Sequence, residues 1–363
     1  MPKNAIKALN TRVNQWLGTA TPTVHHHPNT QIPVQHLTQL QQPYRPTPWL
    51  PNTHMQLFFF DLFRKKHKTS IYDHCDTLRM SDGGTTELCW VNHDFPAHTP
   101  TIVVLHTITG TPDSMQEMIR DVARDTGWRV VLCLRRGHAH LPLTSAKISL
   151  FGCTQDLKAQ LQFIQQRFPQ SPLYAIGSSA GSGLLVRYLG EQADQVEFKA
   201  AFAYCPGYNT DEAFEKALPF YDWIMTKKLK AKFVTRHLEQ LQSVSNLSTL
   251  QQAKNLAEFQ ANMYELAGFP SATAYANAIN PMGVFERASI PLMILNAQDD
   301  PVCNIDNVQP YLSSMTQMKN VTLVVTPKGS HCAYYEGWRA TSWAHRLMAD
   351  FFLKMQAQLT AHS

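Results

Sequence analysis

The 363-residue sequence predicts an α/β fold, a mostly parallel eight-stranded sheet with helices on both faces, and three observations lead there. Short runs of consecutive apolar residues recur along the chain, as expected of strands buried on both faces of a parallel sheet. Stretches of helical periodicity stand between them, the alternation that builds such a sheet. The balance of 44% hydrophobic against 16% charged residues is that of a folded globular chain.

Residues 1–50 read as an N-terminal arm. Within it Ile6, Leu9, Val13, Trp16 and Leu17 fall at helical spacing beside Lys3, Lys7 and Arg12. That pattern suits a short helix packed on its own domain, or an interfacial helix giving peripheral membrane contact through residues 1–17. From residue 18 to about 50 the chain is rich in Pro, Gln, Thr and His with little apolar periodicity, the signature of an extended arm, and His25-His26-His27 reads as part of a solvated loop. The first 60 residues lack Asp and Glu, like a transit peptide, but they also lack Ser and hold only Arg12 and Arg45, which argues against one.

Strands are expected near residues 73–80, 86–91, 101–106, 129–134, 173–176, 199–204, 291–296 and 321–326, the first two alternating as in an antiparallel start. Helices are expected near 113–125, 154–167 with Thr154 as N-cap, 180–192 and 338–356. More than 80 residues separate the strand ending near Tyr204 from the one beginning at Pro291. A structureless loop of that length is improbable in a compact domain, so a helical cap insertion is expected at 206–285, over a core of 51–205 and 286–363. The cap's aromatic residues, among them Phe214, Phe220, Tyr221, Trp223 and Phe259, form its own core or an acyl-chain pocket.

Several function classes drop out on composition. The net charge of +5 is scattered, apart from short runs such as Arg64-Lys65-Lys66, and makes no nucleic-acid-binding face. The longest apolar candidate, residues 55–63, is far short of the roughly 18 needed to span a bilayer and contains Gln56 and Asp61. Seven cysteines without a Cys-x-x-Cys pair suggest neither a disulfide framework nor a zinc site; a reducing, cytoplasmic compartment fits them.

The chemistry concentrates at Gly177-Ser178-Ser179-Ala180-Gly181. Gly-x-Ser-x-Gly alone is a weak pattern, but here it follows an apolar strand and opens a helix, the setting of a nucleophile elbow. A neutral serine hydroxyl needs a histidine base and a carboxylate to hold that histidine's tautomer. Both follow in the order Ser, acid, His: Asp299-Asp300-Pro301 after the strand at 291–296, and His331 after the strand at 321–326. Asp300 is preferred over Asp299 because the acid usually stands directly before a Pro-Val type pair. The oxyanion of an acyl-transfer intermediate needs two N–H donors, one from Ala180 and one from the loop after the third strand, His106-Thr107-Ile108-Thr109-Gly110.

Those residues, with Asn52-Thr53-His54-Met55-Gln56, Ser81-Asp82-Gly83-Gly84, Arg135-Arg136-Gly137, Thr154-Gln155-Asp156-Leu157, Gly268-Phe269 and Tyr275, resemble the YheT / alpha/beta-hydrolase-domain 1, 2 and 3 group of the α/β-hydrolase fold. The match runs from about residue 45 to 355. It implies Ser179, Asp300 and His331 as a catalytic triad, Ile108 and Ala180 as oxyanion donors, and no cofactor or metal. It implies hydrolysis of an acyl ester or lipid substrate, with acyl transfer to an alcohol by the same triad, or a non-catalytic lipid-binding homologue, as the alternatives. Two departures stand out. Thr107 replaces a glycine, whose freedom would aim the oxyanion loop, so that Thr107→Gly is expected to raise turnover; and Ser182-Gly183 replace Gly-Asn in the elbow.

Overall fold

The computed structural model describes residues 18–64 and 69–361. The amphipathic run at residues 1–17, with Lys65 and Lys66 of the basic run, lies outside the described residues. In chain order the strands are β1 (Thr23–His26), β2 (His74–Arg79), β3 (Thr85–Val91), β4 (Thr101–Leu105), β5 (Arg129–Leu134), β6 (Leu173–Ser178), β7 (Phe198–Tyr204), β8 (Leu292–Ala297) and β9 (Val321–Thr326). They form one sheet in the order β1-β9-β8-β7-β6-β4-β5-β3-β2. The run from β5 to β9 is parallel, whereas β2, β3 and β1 join antiparallel at the two edges.

Every residue of β4, β5, β6, β8 and β9 is buried, which is why these strands read as unbroken apolar runs. Helices α2 (Pro112–Thr126) and α10 (Trp343–Ala361) cover one face through Ile119, Val122, Phe351 and Phe352. Helices α3 (Thr154–Arg167) and α4 (Ala180–Gln192) cover the other through Leu157, Leu161, Leu185 and Leu189. Among the described residues no helix is long and apolar enough to cross a membrane.

The eight expected strands are all present, and β1 adds a ninth. The arm is therefore built into the fold: Thr23 to His26 pair with β9, putting His25 and His26 in an edge strand where a solvated loop was expected. Ile32, Leu37, Leu40 and Tyr44 behind it are buried. The last helix begins at Trp343, later than expected, because a short ribbon of Tyr335–Glu336 and Thr341–Ser342 precedes it. Thr154 is the first helical residue, and the cap position falls to Cys153, whose side chain makes no capping bond.

Between β7 and β8 the chain is a succession of short helices: α5 (Thr210–Glu215), α6 (Pro219–Leu229), α7 (Leu247–Gln252), α8 (Leu256–Ala261) and α9 (Ala272–Ile279). Phe233, Phe259 and Tyr275 pack into a cluster of their own that also touches Ile108 and Ala180. At the opposite edge Arg136 joins three stretches that the resemblance singles out. It donates to Asp156 at 2.7 and 2.8 Å and to Asp82 at 2.6 Å, and a Cβ on Gly84 would stand 2.2 Å from its Nη1.

Candidate active site

The sheet order reverses at β4 and β6, so the loops leaving their carboxyl ends part to opposite faces and open a crevice, where ligands of open α/β sheets settle. Ser179 lies there, between the end of β6 and the first residue of α4. Its backbone takes φ 52° and ψ −118°, a conformation unfavourable for a residue with a Cβ, and the turn is held from several sides. Ser179 N donates to Tyr204 O at 2.8 Å, and Ser182 Oγ donates to Gly177 O at 2.6 Å and approaches Tyr204 O at 3.1 Å. Ser182, one of the departures from the family pattern, is thus a staple across the elbow. The flanking glycines have a steric cause. A Cβ on Gly181 would come within 2.1 Å of Leu105 O, and one on Gly177 within 2.6 Å of Gly181 O.

His331 follows β9 through a loop in which Ser330 (φ 53°), Cys332 (φ 60°) and Tyr334 (φ 44°) all have positive φ. Its Nε2 lies 2.9 Å from Ser179 Oγ and its Nδ1 lies 2.8 Å from Asp300 Oδ2. Asp300 is buried, and its other oxygen accepts the N–H groups of Val302 and Cys303, both at 2.8 Å. Asp299 points elsewhere: it accepts from Ser330 N at 3.0 Å and lies near Lys328. The loops carrying His331 and Asp300 are tied together by Thr53, whose Oγ1 donates to Asp299 O at 2.7 Å and whose O accepts from Ser330 Oγ at 2.9 Å. This gives the Asn52-Thr53-His54 stretch a local structural reason. Asn52 also caps α1 (Thr53–Phe59), accepting from Met55 N.

Burial works against a charged imidazole at position 331, but the facing Asp300 carboxylate, aided by neighbouring thiol groups, raises His331 well above its ordinary value. With Nδ1–H donating to Asp300, Nε2 is left to accept the Ser179 proton.

Ala180 and Ile108 both flank Ser179, one opening α4 and the other in the loop after β4. Neither N–H has a protein acceptor among the described residues. Sequence reasoning missed what aims the Ile108 loop. Arg135, buried, donates from Nη1 to His106 O at 2.9 Å and from Nη2 to Thr107 O at 2.7 Å, while His138 Nε2 lies 3.1 Å from Ile108 O. Thr107 itself is absent from the residues with positive φ, so the loop does not need glycine there, and the gain expected from Thr107→Gly loses its basis.

A cavity of about 320 Å3 reaches Ser179 and His331 between α1, with the turn that follows it, and α6. Leu57, Phe58, Leu62, Phe220, Ile224 and Met225 line it, so its wall is largely apolar. His54 Nδ1, 2.6 Å from Tyr221 OH, bridges the two helices. Phe58, Leu62, Phe63, Phe220 and Trp223 are exposed around this region. The cap aromatics therefore divide, some filling the cap's own core and some facing the cavity.

The model of the alpha/beta hydrolase fold family matches residues 100–337. The chain is 31% identical to the embryogenesis-associated protein EMB8 of Picea glauca, over 87% of this chain and 73% of that one. It is 26% identical to the monoacylglycerol lipase ABHD2 of Mus musculus, over 84% of this chain and 78% of that one. To the phospholipase ABHD3 of Bos taurus it is also 26% identical, over 88% and 80%. Among solved structures, Est1E from Butyrivibrio proteoclasticus has a TM-score of 0.50 at 14% identity, covering 78% of this chain and 99% of that one. The Pyrococcus furiosus esterase Pf2001 reaches 0.50 at 16% identity, covering 78% and 93%.

Proposed function

The chain belongs to the α/β-hydrolase family, and from that premise we propose that it hydrolyses carboxylic esters of lipid type through an acyl-enzyme on Ser179. The observation that carries the reading is the unbroken chain from Ser179 Oγ through His331 to Asp300, with spacings of 2.9 and 2.8 Å, at the mouth of an apolar cavity. Ser179 Oγ attacks the ester carbonyl as His331 Nε2 takes its proton, and the Asp300 carboxylate stabilises the imidazolium. The N–H groups of Ala180 and Ile108 receive the developing oxyanion. His331 returns the proton to the departing alcohol. Water then attacks the acyl carbonyl by the same route, releasing the acid and restoring Ser179.

In this reading residues 206–285 are the cap, 51–205 and 286–363 the core, and 1–50 the arm. The apolar cavity wall and the exposed aromatics beside it support an aliphatic acyl chain as the buried part of the substrate, as do the lipase and phospholipase among the relatives. A panel of acyl esters graded from acetate to long chains tests this. Specificity rising with chain length is expected, and turnover confined to acetate, or none, would refute the lipid reading.

Two further outcomes follow from the site. Because His331 must be neutral to act and its imidazolium is stabilised, kcat/KM should rise with pH through an inflection above 6.5, and Asp300→Asn should move that inflection down. Arg135→Met removes both donors that hold the oxyanion loop. Its kcat should fall by about tenfold to a hundredfold, toward the lower end of what an oxyanion donor is worth, with KM little changed. A variant affected only in KM would place Arg135 in substrate binding instead.

A further inference from the structure

A second cavity, of about 470 Å3, lies apart from Ser179; Thr109 and Gly110 of the oxyanion loop form part of its wall, and Cys75, Cys89 and His140 line it as well. Strand geometry explains why these groups meet. Side chains two apart on β3 share a face, so Glu87 and Cys89 point the same way, and the antiparallel register sets Cys75 of β2 directly across from Cys89. The donor atoms of Cys75, Glu87 and Cys89 all lie within 4.8 Å of one another. Cys89 Sγ donates to Glu87 Oε2 at 3.2 Å, and His140 Nε2 stands 3.0 Å from the same oxygen.

We infer that Cys75, Cys89 and Glu87, with His140 as fourth ligand, form a binding site for a thiophilic divalent cation of the Zn2+ type.

Glu87 is buried, and its partners here are a thiol and an imidazole, both metal ligands themselves. Among the described residues no lysine or arginine pairs with it. A divalent ion would coordinate this buried carboxylate directly and offset two of the three negative charges that it and the two thiolates bring. Two thiolates, an imidazole and a carboxylate suit zinc or cadmium, whereas magnesium and calcium demand oxygen ligands. Tetrahedral zinc ligands stand roughly 3.5–3.8 Å apart, so Cys75, Glu87 and Cys89 need only small movements, whereas His140, already 3.0 Å from Glu87 Oε2, has to swing toward the two thiols. Cys75 is exposed and lines the cavity, which provides access. Binding releases the two thiol protons to solvent and involves no change of oxidation state. Through His140 the ion would tie the β2–β3 edge to the loop that follows β5, the loop whose Arg135 and His138 contact the carbonyls beside Ile108.

A second thiol group, Cys205 and Cys332 with His331, is equally compact, but both ring nitrogens of its histidine are engaged by Ser179 and Asp300. The test therefore separates the two. The full chain, reduced and freed of metal, is titrated with Cd2+ while the ultraviolet cadmium–thiolate charge-transfer band is followed, and its melting temperature is measured with and without Zn2+. A band of two-thiolate amplitude and a Zn2+-dependent rise in melting temperature are expected, both lost in Cys75→Ser and Cys89→Ser. Cys332→Ser should retain them, and His140→Ala should weaken binding by about tenfold. Circular dichroism establishes that each variant is folded. No band in the wild type, a band that survives Cys75→Ser, or one lost in Cys332→Ser would overturn the site, as would a Cys75–Cys89 disulfide persisting under reductant. None of these readouts depends on ester turnover, so the outcome is independent of the proposed hydrolysis.

Discussion

Ser179→Ala is expected to lower kcat for acyl esters by about 10⁵- to 10⁶-fold while leaving the melting temperature and KM close to those of the wild type. The size follows from what the hydroxyl does in the proposed mechanism. It is the atom that bonds to the carbonyl carbon, so its loss removes the acyl-enzyme route entirely. What is left is uncatalysed attack by water in a site that still binds the substrate and still offers the N–H groups of Ala180 and Ile108. Stability should hold because alanine tolerates the Ser179 backbone no worse than serine, and the turn is fixed by Ser182 and by the close approaches at Gly177 and Gly181 rather than by the Ser179 hydroxyl. Steady-state kinetics on a chromogenic acyl ester measure the effect. Retention of more than about a thousandth of the activity would contradict it.

The second large effect is expected at Asp300. Asp300→Asn should lower kcat by on the order of 10⁴-fold. The amide keeps an oxygen for Val302 N and Cys303 N, and so turns its NH2 group toward His331 Nδ1, where an acceptor is needed. The imidazole must then place its proton on Nε2, the nitrogen that has to accept from Ser179, and the stabilisation of the imidazolium is lost as well. Asp299→Asn supplies the contrast. Asp299 accepts from Ser330 N and does not touch His331, so its replacement should cost about tenfold or less in kcat. Equal losses in the two variants would contradict the assignment of Asp300.

How much of this was legible in the sequence depended on how local each determinant is. The buried parallel strands announce themselves as apolar runs because both faces are covered. The Ser179 elbow is readable because strand, glycines and helix are contiguous. Asp300 and His331 could be placed because each follows a readable strand. β1 escaped because an edge strand need not be apolar: Thr23-Val24-His25-His26 looks like loop until β9 is beside it. Arg135 escaped because its partners, His106 O and Thr107 O, are backbone carbonyls on another strand's loop, and no side-chain pattern encodes them. The sequence could not show whether Thr107 restricts the oxyanion loop, because that depends on the backbone angle at residue 107, which is not positive here. The Cys75, Glu87 and Cys89 group has no Cys-x-x-Cys spacing because its ligands are assembled across two strands, so only the register brings them together.

The most direct test of the central claim is covalent labelling of the native chain with a fluorophosphonate probe, followed by peptide mapping. A single label on Ser179 is expected, absent from Ser179→Ala and strongly slowed in Asp300→Asn. Labelling at any other serine, or none under conditions that label a control serine hydrolase, would contradict Ser179 as the nucleophile.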